Sequence, residues 1–175
     1  MKDSEHHWKK LLKYLADREY PICDVDDESK GILTYISGDY VSLRLFVWLD
    51  KKSKTLDARW YYPTNVPLNK HHIVLDLMNR LNYRILYGGF IMEPEDGLLF
   101  FRISVPFSDT DFVNEQLDKV FGVGLWAADE EYPKFMSVIY GEPTLGEVLE
   151  GKGQPQLRIV NSSNRSDKQE EKVGE

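Results

Sequence analysis

The 175-residue sequence contains one cysteine and no long hydrophobic run. Because Cys23 stands alone, an intrachain disulfide and a zinc site built on several cysteines are both excluded. No segment approaches the ~18 consecutive apolar residues of a membrane-spanning helix, and the first residues lack the apolar stretch of a secretory signal. We therefore expect a soluble protein of the reducing cytoplasm with no membrane partner.

Basic residues are scarce relative to acidic ones. The chain has 22 Lys and Arg against 29 Asp and Glu, which gives a formal net charge of −7. Without residues 151–175, which hold 5 basic and 4 acidic residues, the balance is 17 − 25 = −8. Phosphate backbones repel such a chain, so nucleic-acid binding is disfavoured unless arginines on one face offset the charge locally.

Motifs for the common catalytic and cofactor chemistries are missing. No G-x-S-x-G nucleophile motif follows a predicted strand, and Gly122-x-Gly124 lacks the third glycine of a dinucleotide loop. Because these glycines lie in a helical stretch, we interpret them as a place where the helix bends or packs closely against a neighbour. Cys23 has acidic neighbours, which disfavour a reactive thiolate. The sequence predicts no catalytic residue and no bound cofactor.

Histidines and acidic clusters lack the spacing of metal sites. The four histidines form adjacent pairs at positions 6–7 and 71–72, whereas a helical metal site uses residues four apart, so surface histidines are favoured. The acidic run at 24–28 lacks the glycine and glutamate positions of a calcium loop and is interpreted as solvated. The acidic turn at 93–97 is also interpreted as solvated, with a weak cation site as the alternative.

Hydrophobic periodicity predicts helices and strands over the first 150 residues. Apolar residues at helical spacing mark four helices: residues 4–19, 70–83, a segment capped by Asp109 or Asp111 that ends at 128, and 132–140. Asp3 or Ser4 is expected to cap the first helix, Asn69 the second, and Thr144 with Glu147 a short final one. Alternating apolar residues predict five strands: residues 32–37, 40–50, 55–62, 89–92 and 98–105.

These elements predict a single α+β domain. The order α-β-β-β-α-β-β-α, with tight turns at 38–39 and 93–97, favours a five-stranded antiparallel sheet that has its helices on one face. The domain is expected to span residues 1–150. Residues 151–175 have few large apolar side chains and are predicted to be a disordered tail, with a docked strand at 157–160 as the alternative.

Four segments carry motifs beyond simple periodicity. They are the opening helix with Trp8, Leu11, Leu12 and Leu15; Val66-Pro67 followed by a helix ending in Asn79-x-x-Asn82; the hairpin from Phe90 to Arg102 around Glu95-Asp96-Gly97; and Ala127-Ala128-Asp129 with the helix up to Gly141. These segments resemble the YbjN family, a bacterial group described as sensory transduction regulators with the fold of the type III secretion chaperones. The resemblance spans about residues 4–150, implies that fold and a homodimer, and brings no catalytic residues.

Alternation along the predicted strands also defines a second sheet face, opposite the aliphatic one. Aromatic residues and arginines, which are frequent in protein interfaces, dominate it. The candidate binding residues are Arg44, Phe46, Trp48, Arg59, Tyr61, Phe100 and Arg102. Alternatively, both faces are partly covered, or the aromatic pairs only stabilise the sheet.

The sequence thus predicts a non-enzymatic, chaperone-like regulator that binds a protein or peptide through this face or a dimer surface. The alternative is an enzyme of unknown reaction whose site assembles from scattered residues. Arg44, Arg59, His71 and Asp96 are the residues considered for that site.

Overall fold

The computed structural model describes residues 4–107, 112–141 and 145–150. Four helices and six strands lie in these ranges. In chain order they are α1 Ser4–Asp17, β1 Ile22–Asp26, β2 Gly31–Ser37, β3 Ser42–Asp50, β4 Thr55–Asn65, α2 His71–Asn82, β5 Gly89–Met92, β6 Leu98–Pro106, α3 Asn114–Tyr140 and α4 Leu145–Leu149. A short 3₁₀ turn, Leu68–Lys70, precedes α2.

The strands form one antiparallel sheet in the order β1-β2-β3-β4-β6-β5. Sequential hairpins build most of it, and β6 inserts between β4 and β5 because the β5–β6 hairpin docks on β4 by its second strand. The α+β class and the antiparallel pairing predicted from the sequence are confirmed.

One face of the sheet packs under the helices. Strand β3 contributes Leu43, Leu45, Val47 and Leu49, and β4 contributes Leu56, Ala58, Trp60 and Tyr62, all of them buried. These side chains form one cluster with buried residues of α1, α2 and α3. The period-two alternation read from the sequence therefore identifies the inward side chains of both strands correctly.

The predicted number of strands is wrong, because the acidic run after α1 is partly a strand. Residues Ile22–Asp26 pair with β2 as an edge strand, with every side chain except that of Ile22 exposed. An edge strand held by backbone hydrogen bonds needs no apolar alternation, so its side chains give no periodic signal. Asp26 then closes the following turn by accepting hydrogen bonds from the Glu28 and Ser29 backbones.

The β2–β3 turn is longer than the predicted two residues. Ser37 pairs with Ser42, so residues 38–41 form the loop, and the buried carboxylate of Asp129 on α3 holds it. The backbone N–H groups of Asp39, Tyr40 and Val41 donate to that carboxylate at 2.8, 3.0 and 3.0 Å. The hydrogen bonds to Asp129 set the loop length, and rules based on local turn sequence cannot predict such a long-range contact.

Helix α3 runs without a break through the two helices predicted at 109–128 and 132–140. Pro133 lies inside it and is buried, with buried residues on both sides. Proline disfavours a helix interior by ~3 kcal/mol, and burial of the flanking apolar side chains offsets that cost. Gly124 is where α3 approaches the sheet: a Cβ there would lie 2.1 Å from Trp60 Cη2, which confirms the close packing predicted for this glycine. A Cβ at Gly122 would meet no atom within 4 Å, so the prediction does not hold there.

Several predicted helix starts also differ. Helix α2 begins at His71 after the 3₁₀ turn, with Lys70 rather than Asn69 at the cap position, and α3 begins at Asn114. The capping residues proposed at positions 3, 109, 111 and 144, and the tail at 151–175, lie outside the described residues. Within the described part of the chain, no helix is long and apolar enough to cross a membrane.

Candidate functional site

The side of the sheet opposite the helices is here called the outer face. It contains every candidate binding residue of the sequence analysis, on strands β3, β4 and β6. Cross-strand pairing arranges them in rows: Arg44, Tyr61 and Phe100 form one row, and Phe46, Arg59 and Arg102 form the next. A third row contains the seventh residue, Trp48, beside Asp57 and Ser104. The sheet register therefore brings all seven candidate residues together.

A buried carboxylate organises the centre of the outer face. Asp57 is 2% exposed. Its Oδ1 accepts from Arg59 Nε at 3.1 Å, and its Oδ2 accepts from Arg102 Nε at 2.7 Å and Ser104 Oγ at 2.5 Å. A buried charge is costly unless it is paired and hydrogen-bonded, and these donors satisfy both conditions.

Sequence reasoning missed Asp57 and Ser104. Asp57 alternates in phase with Arg59 and Tyr61, which was the available signal. Aspartate is mostly exposed in proteins, and the arginines that cover Asp57 belong partly to another strand.

Arginines and aromatic rings stack on each other around this carboxylate. The Arg59 guanidinium lies 4.2 Å from the Trp48 ring centroid and 5.4 Å from that of Phe100. Arg44 lies 5.1 Å from the Tyr61 ring, and the ring pairs Tyr61–Phe100 and Phe46–Trp48 are 4.9 and 5.1 Å apart. Cation–π and ring contacts of this kind order the surface before any partner arrives.

The charge of Arg59 is maintained by its neighbours. Partial burial opposes that charge, but the hydrogen bond to Tyr61 Oη and the attraction of Asp57 outweigh it and raise the pKa of the guanidinium. Arg59 therefore keeps its positive charge at physiological pH.

Exposure divides the outer face into a buried floor and an accessible layer. Phe100 is 1% exposed, although it does not belong to the main core; its row neighbours and Arg59 cover it. Phe100 is therefore a supporting residue and not a surface residue as the alternation suggested. Phe46, Trp48 and Tyr61 are partly exposed, and Tyr35 at the end of its row is 52% exposed.

Both edges of the sheet are protected against pairing with a further strand. At the β5 edge, the Asn82 side chain donates to Phe90 O at 3.0 Å and accepts from Phe90 N at 2.7 Å. At the β1 edge, Asp24 and Asp26 are exposed on the outermost strand. Charged and blocked edges of this kind prevent edge-to-edge association.

A second apolar surface lies between α2 and β5. Tyr83, Leu86 and Tyr87 are 92%, 93% and 69% exposed, and we call these three residues the 83–87 patch. Neighbouring large side chains with this exposure are unusual on a monomer and typically mark an interaction site.

The histidine predictions are confirmed only in part. His6 and His72 are exposed, but His7 is 1% exposed and contacts the rings of Phe107 and Phe112 at centroid distances of 4.8 and 5.3 Å. His7 is thus a core residue, contrary to expectation. It precedes Leu11 by four positions, so it shares the buried stripe of α1. The described residues contain no group of three or more side chains suited to hold a metal ion.

Each residue considered for an enzymatic site is engaged in a structural contact, and Arg44 and Arg59 share Tyr61. Arg44 stacks on Tyr61. Arg59 binds Asp57. His71 Nε2 lies 3.0 Å from Val66 O, and Asp96 accepts from its own turn at Leu98 N. These contacts give the four residues no shared reaction centre.

Known structures with a similar architecture are distantly related in sequence. The crystal structure of YbjN, described as a putative transcription regulator from E. coli, superposes with a TM-score of 0.52 at 10% identity, covering 70% of this chain and 85% of that one. A chain of the HopA1–SchA chaperone–effector complex superposes with a TM-score of 0.50 at 15% identity, covering 73% and 95%. At these identities the likeness shows the fold alone, which is that of a type III secretion chaperone.

A comparison with curated proteins finds no significant match. A comparison with protein families matches residues 9–136 to YbjN, described as "Putative bacterial sensory transduction regulator". The match covers most of α1, the whole sheet, α2 and most of α3, and so includes the outer face and both protected edges. The chain belongs to the YbjN family.

Proposed function

We propose that this chain is a non-enzymatic, chaperone-like regulator that binds another protein through the outer face. The supporting observation is a broad sheet surface that the described helices leave uncovered and that presents partly exposed Phe46, Trp48 and Tyr61 beside arginines. Aromatic residues and arginine are enriched in protein interfaces and among the residues that dominate binding energy.

The structural neighbours favour a protein as the partner. SchA is a chaperone bound to an effector protein, and the family is described as regulatory; both point to binding rather than catalysis. The polar groups of the outer face support the same proposal, since Asp57, Arg59 and Arg102 are engaged with one another and not poised around a reactant. The free thiol of Cys23 is exposed, which suits a reducing cytoplasm, where we place this activity.

We propose homodimerisation through the 83–87 patch, separate from the outer face. Its three side chains are exposed in the single chain, whereas β-augmentation at the neighbouring β5 edge is opposed by Asn82. A Leu86→Asp variant is therefore expected to lower the mass from dimer to monomer in multi-angle light scattering. A monomeric wild type would contradict this part of the proposal without affecting the outer face.

The binding proposal is tested by comparing two double variants in affinity capture from the source organism. Phe46→Ala/Trp48→Ala removes accessible rings from the outer face. Trp126→Ala/Tyr140→Ala removes two exposed rings of α3, outside both proposed surfaces, and is the matched control. We expect the captured partner to be lost with the first variant and kept with the second, with far-UV circular dichroism confirming that both fold. Retention of the partner by a folded Phe46→Ala/Trp48→Ala variant would refute the proposal.

A further inference from the structure

One guanidinium of the outer face is not neutralised. Arg59 and Arg102 share the Asp57 carboxylate, but no carboxylate of the described residues forms an ion pair with Arg44. Arg44 is exposed, and its guanidinium lies over the face of the Tyr61 ring, 5.1 Å from the centroid. A guanidinium stacked on a ring keeps its N–H donors available in the plane, where a carboxylate binds in bidentate fashion.

Charge is distributed unevenly across the outer face. Its centre holds three arginines against one aspartate, in a chain whose net charge is −7. The acidic residues lie towards one corner of the face: Asp24 on β1 belongs to the row of Leu33 and Phe46, and Asp50 ends β3 beyond Trp48. An anionic group is therefore attracted to the centre of the face and repelled from the β1 edge.

Aromatic and apolar side chains flank Arg44 along its row of the sheet. Tyr35 lies beside it on β2, Tyr61 on β4, and Ile91 continues the same row on β5 after Phe100. All three are at least partly exposed. A ligand that places a carboxylate on Arg44 would thus have apolar surface on both sides of that carboxylate.

From these contacts we infer that the outer face binds a peptide segment that carries an acidic side chain between apolar ones, with the carboxylate on Arg44. The inference rests on the proposed function and specifies the chemistry of the partner. The segment lies on the face of the sheet and does not extend it, because both edges are protected.

Single-stranded nucleic acid is the other ligand that uses aromatic rings and arginines on a sheet. A nucleic acid carries a negative charge at every nucleotide, whereas the outer face offers one arginine without an ion pair among the described residues and has acidic residues at one side. A peptide with one local negative charge fits that arrangement, and a phosphate backbone does not.

The test selects binders from a display library of random 12-residue peptides against the wild-type chain. Peptides that compete with one another are then labelled with fluorescein and measured by fluorescence anisotropy. We expect enrichment of Asp or Glu flanked by apolar residues. Arg44→Gln should weaken these peptides about tenfold, as expected for loss of a charge-assisted hydrogen bond. Arg84→Gln, which changes an exposed arginine away from the outer face, should leave their affinity unchanged.

The outcomes separate this inference from the proposed function. Peptides without acidic enrichment that still lose affinity with Phe46→Ala/Trp48→Ala would overturn the inference and leave the binding face intact. Selected peptides that are insensitive to every outer-face variant would contradict both. A fluorescein-labelled 20-nucleotide oligothymidylate is the remaining probe. If this oligonucleotide binds and Trp48→Ala abolishes the binding, the inference is overturned in favour of nucleic acid.

Discussion

The side chain of Asp129 connects distant parts of the chain by hydrogen bonds. Its carboxylate accepts three backbone N–H groups from the loop between β2 and β3, some 90 positions earlier in sequence. Gly38 permits that approach, since a Cβ at position 38 would lie 2.1 Å from Asp129 Cγ. The pair gives a structural reason for a glycine and an aspartate at these two positions.

Replacing Asp129 is expected to be strongly destabilising. Asp129→Ala leaves three backbone donors without their acceptor and should lower the free energy of unfolding by about 2–4 kcal/mol. Asp129→Asn should also destabilise the fold, because the NH₂ group of asparagine cannot accept a hydrogen bond from the backbone N–H groups that it would face. Urea unfolding followed by circular dichroism measures both, with the exposed neighbour variant Glu130→Ala as the control. Equal stability of the Asp129 and Glu130 variants would contradict the role assigned to the carboxylate.

Asp118 on α3 should make stability depend on pH. Arg18 donates to Asp118 at 2.6 Å and Tyr14 donates at 2.8 Å, and these bonds lower the pKa of the carboxyl group. A group with a lowered pKa in the folded state stabilises above its unfolded pKa, about 4, and loses that contribution as pH falls through the folded pKa. The stabilising contribution is therefore present at neutral pH and disappears in acid.

The expected result is that wild type exceeds Asp118→Asn in urea midpoint at pH 7, and that the difference shrinks as the pH falls below about 4. Asp17→Asn serves as the control, since Asp17 pairs with Lys13 of its own helix. A difference between wild type and Asp118→Asn that is independent of pH would show that the carboxylate does not act through its charge.

At the scale of elements, Asn82 protects the β5 edge from pairing with a further strand. It satisfies both backbone groups of Phe90 that face away from β6. Asn82→Ala exposes these groups, so we expect a loss of about 1–2 kcal/mol and faster aggregation on gentle heating, measured by static light scattering. Asn79→Ala removes the same side chain from an exposed position of the same helix and should behave like wild type. Similar aggregation of the two variants would argue against the guard role.

Local pattern explains which elements could be predicted. The buried stripe of α2, Val74, Leu77, Met78 and Leu81, follows helical spacing, and β3 follows strict alternation, so both were predicted correctly. Strand β1 and the full length of α3 were not. An exposed edge strand has no inward face to mark it, and Pro133 resembles a helix terminator until the buried surface around it is known.

The sequence predicted which residues form the candidate site but not how deeply each side chain is buried. Alternation placed Arg44, Phe46 and Trp48 on the correct face. It could not show that Asp57 lies buried beneath the arginines or that Phe100 is covered, because both depend on side chains from neighbouring strands. The structure adds the sheet register, which shows that Phe100 is covered, that Arg44 has no ion pair among the described residues, and that acidic residues lie at one side of the outer face.

At the scale of the whole molecule, the helices occupy one side of the sheet and leave the other as an ordered surface. The core beneath the helices accounts for the aliphatic residues, and the guarded edges limit strand addition. The outer face then remains as the most distinctive accessible surface of a chaperone-like fold, beside the smaller 83–87 patch.

Photo-crosslinking in the cell tests the central claim most directly. A benzophenone amino acid is placed at Tyr35, on the accessible rim of the outer face, and in a parallel variant at Trp126 on α3, both largely exposed. The account predicts a crosslinked partner protein at position 35 that the Phe46→Ala/Trp48→Ala background removes, and none at position 126. A partner crosslinked at 126 and absent at 35 would contradict it.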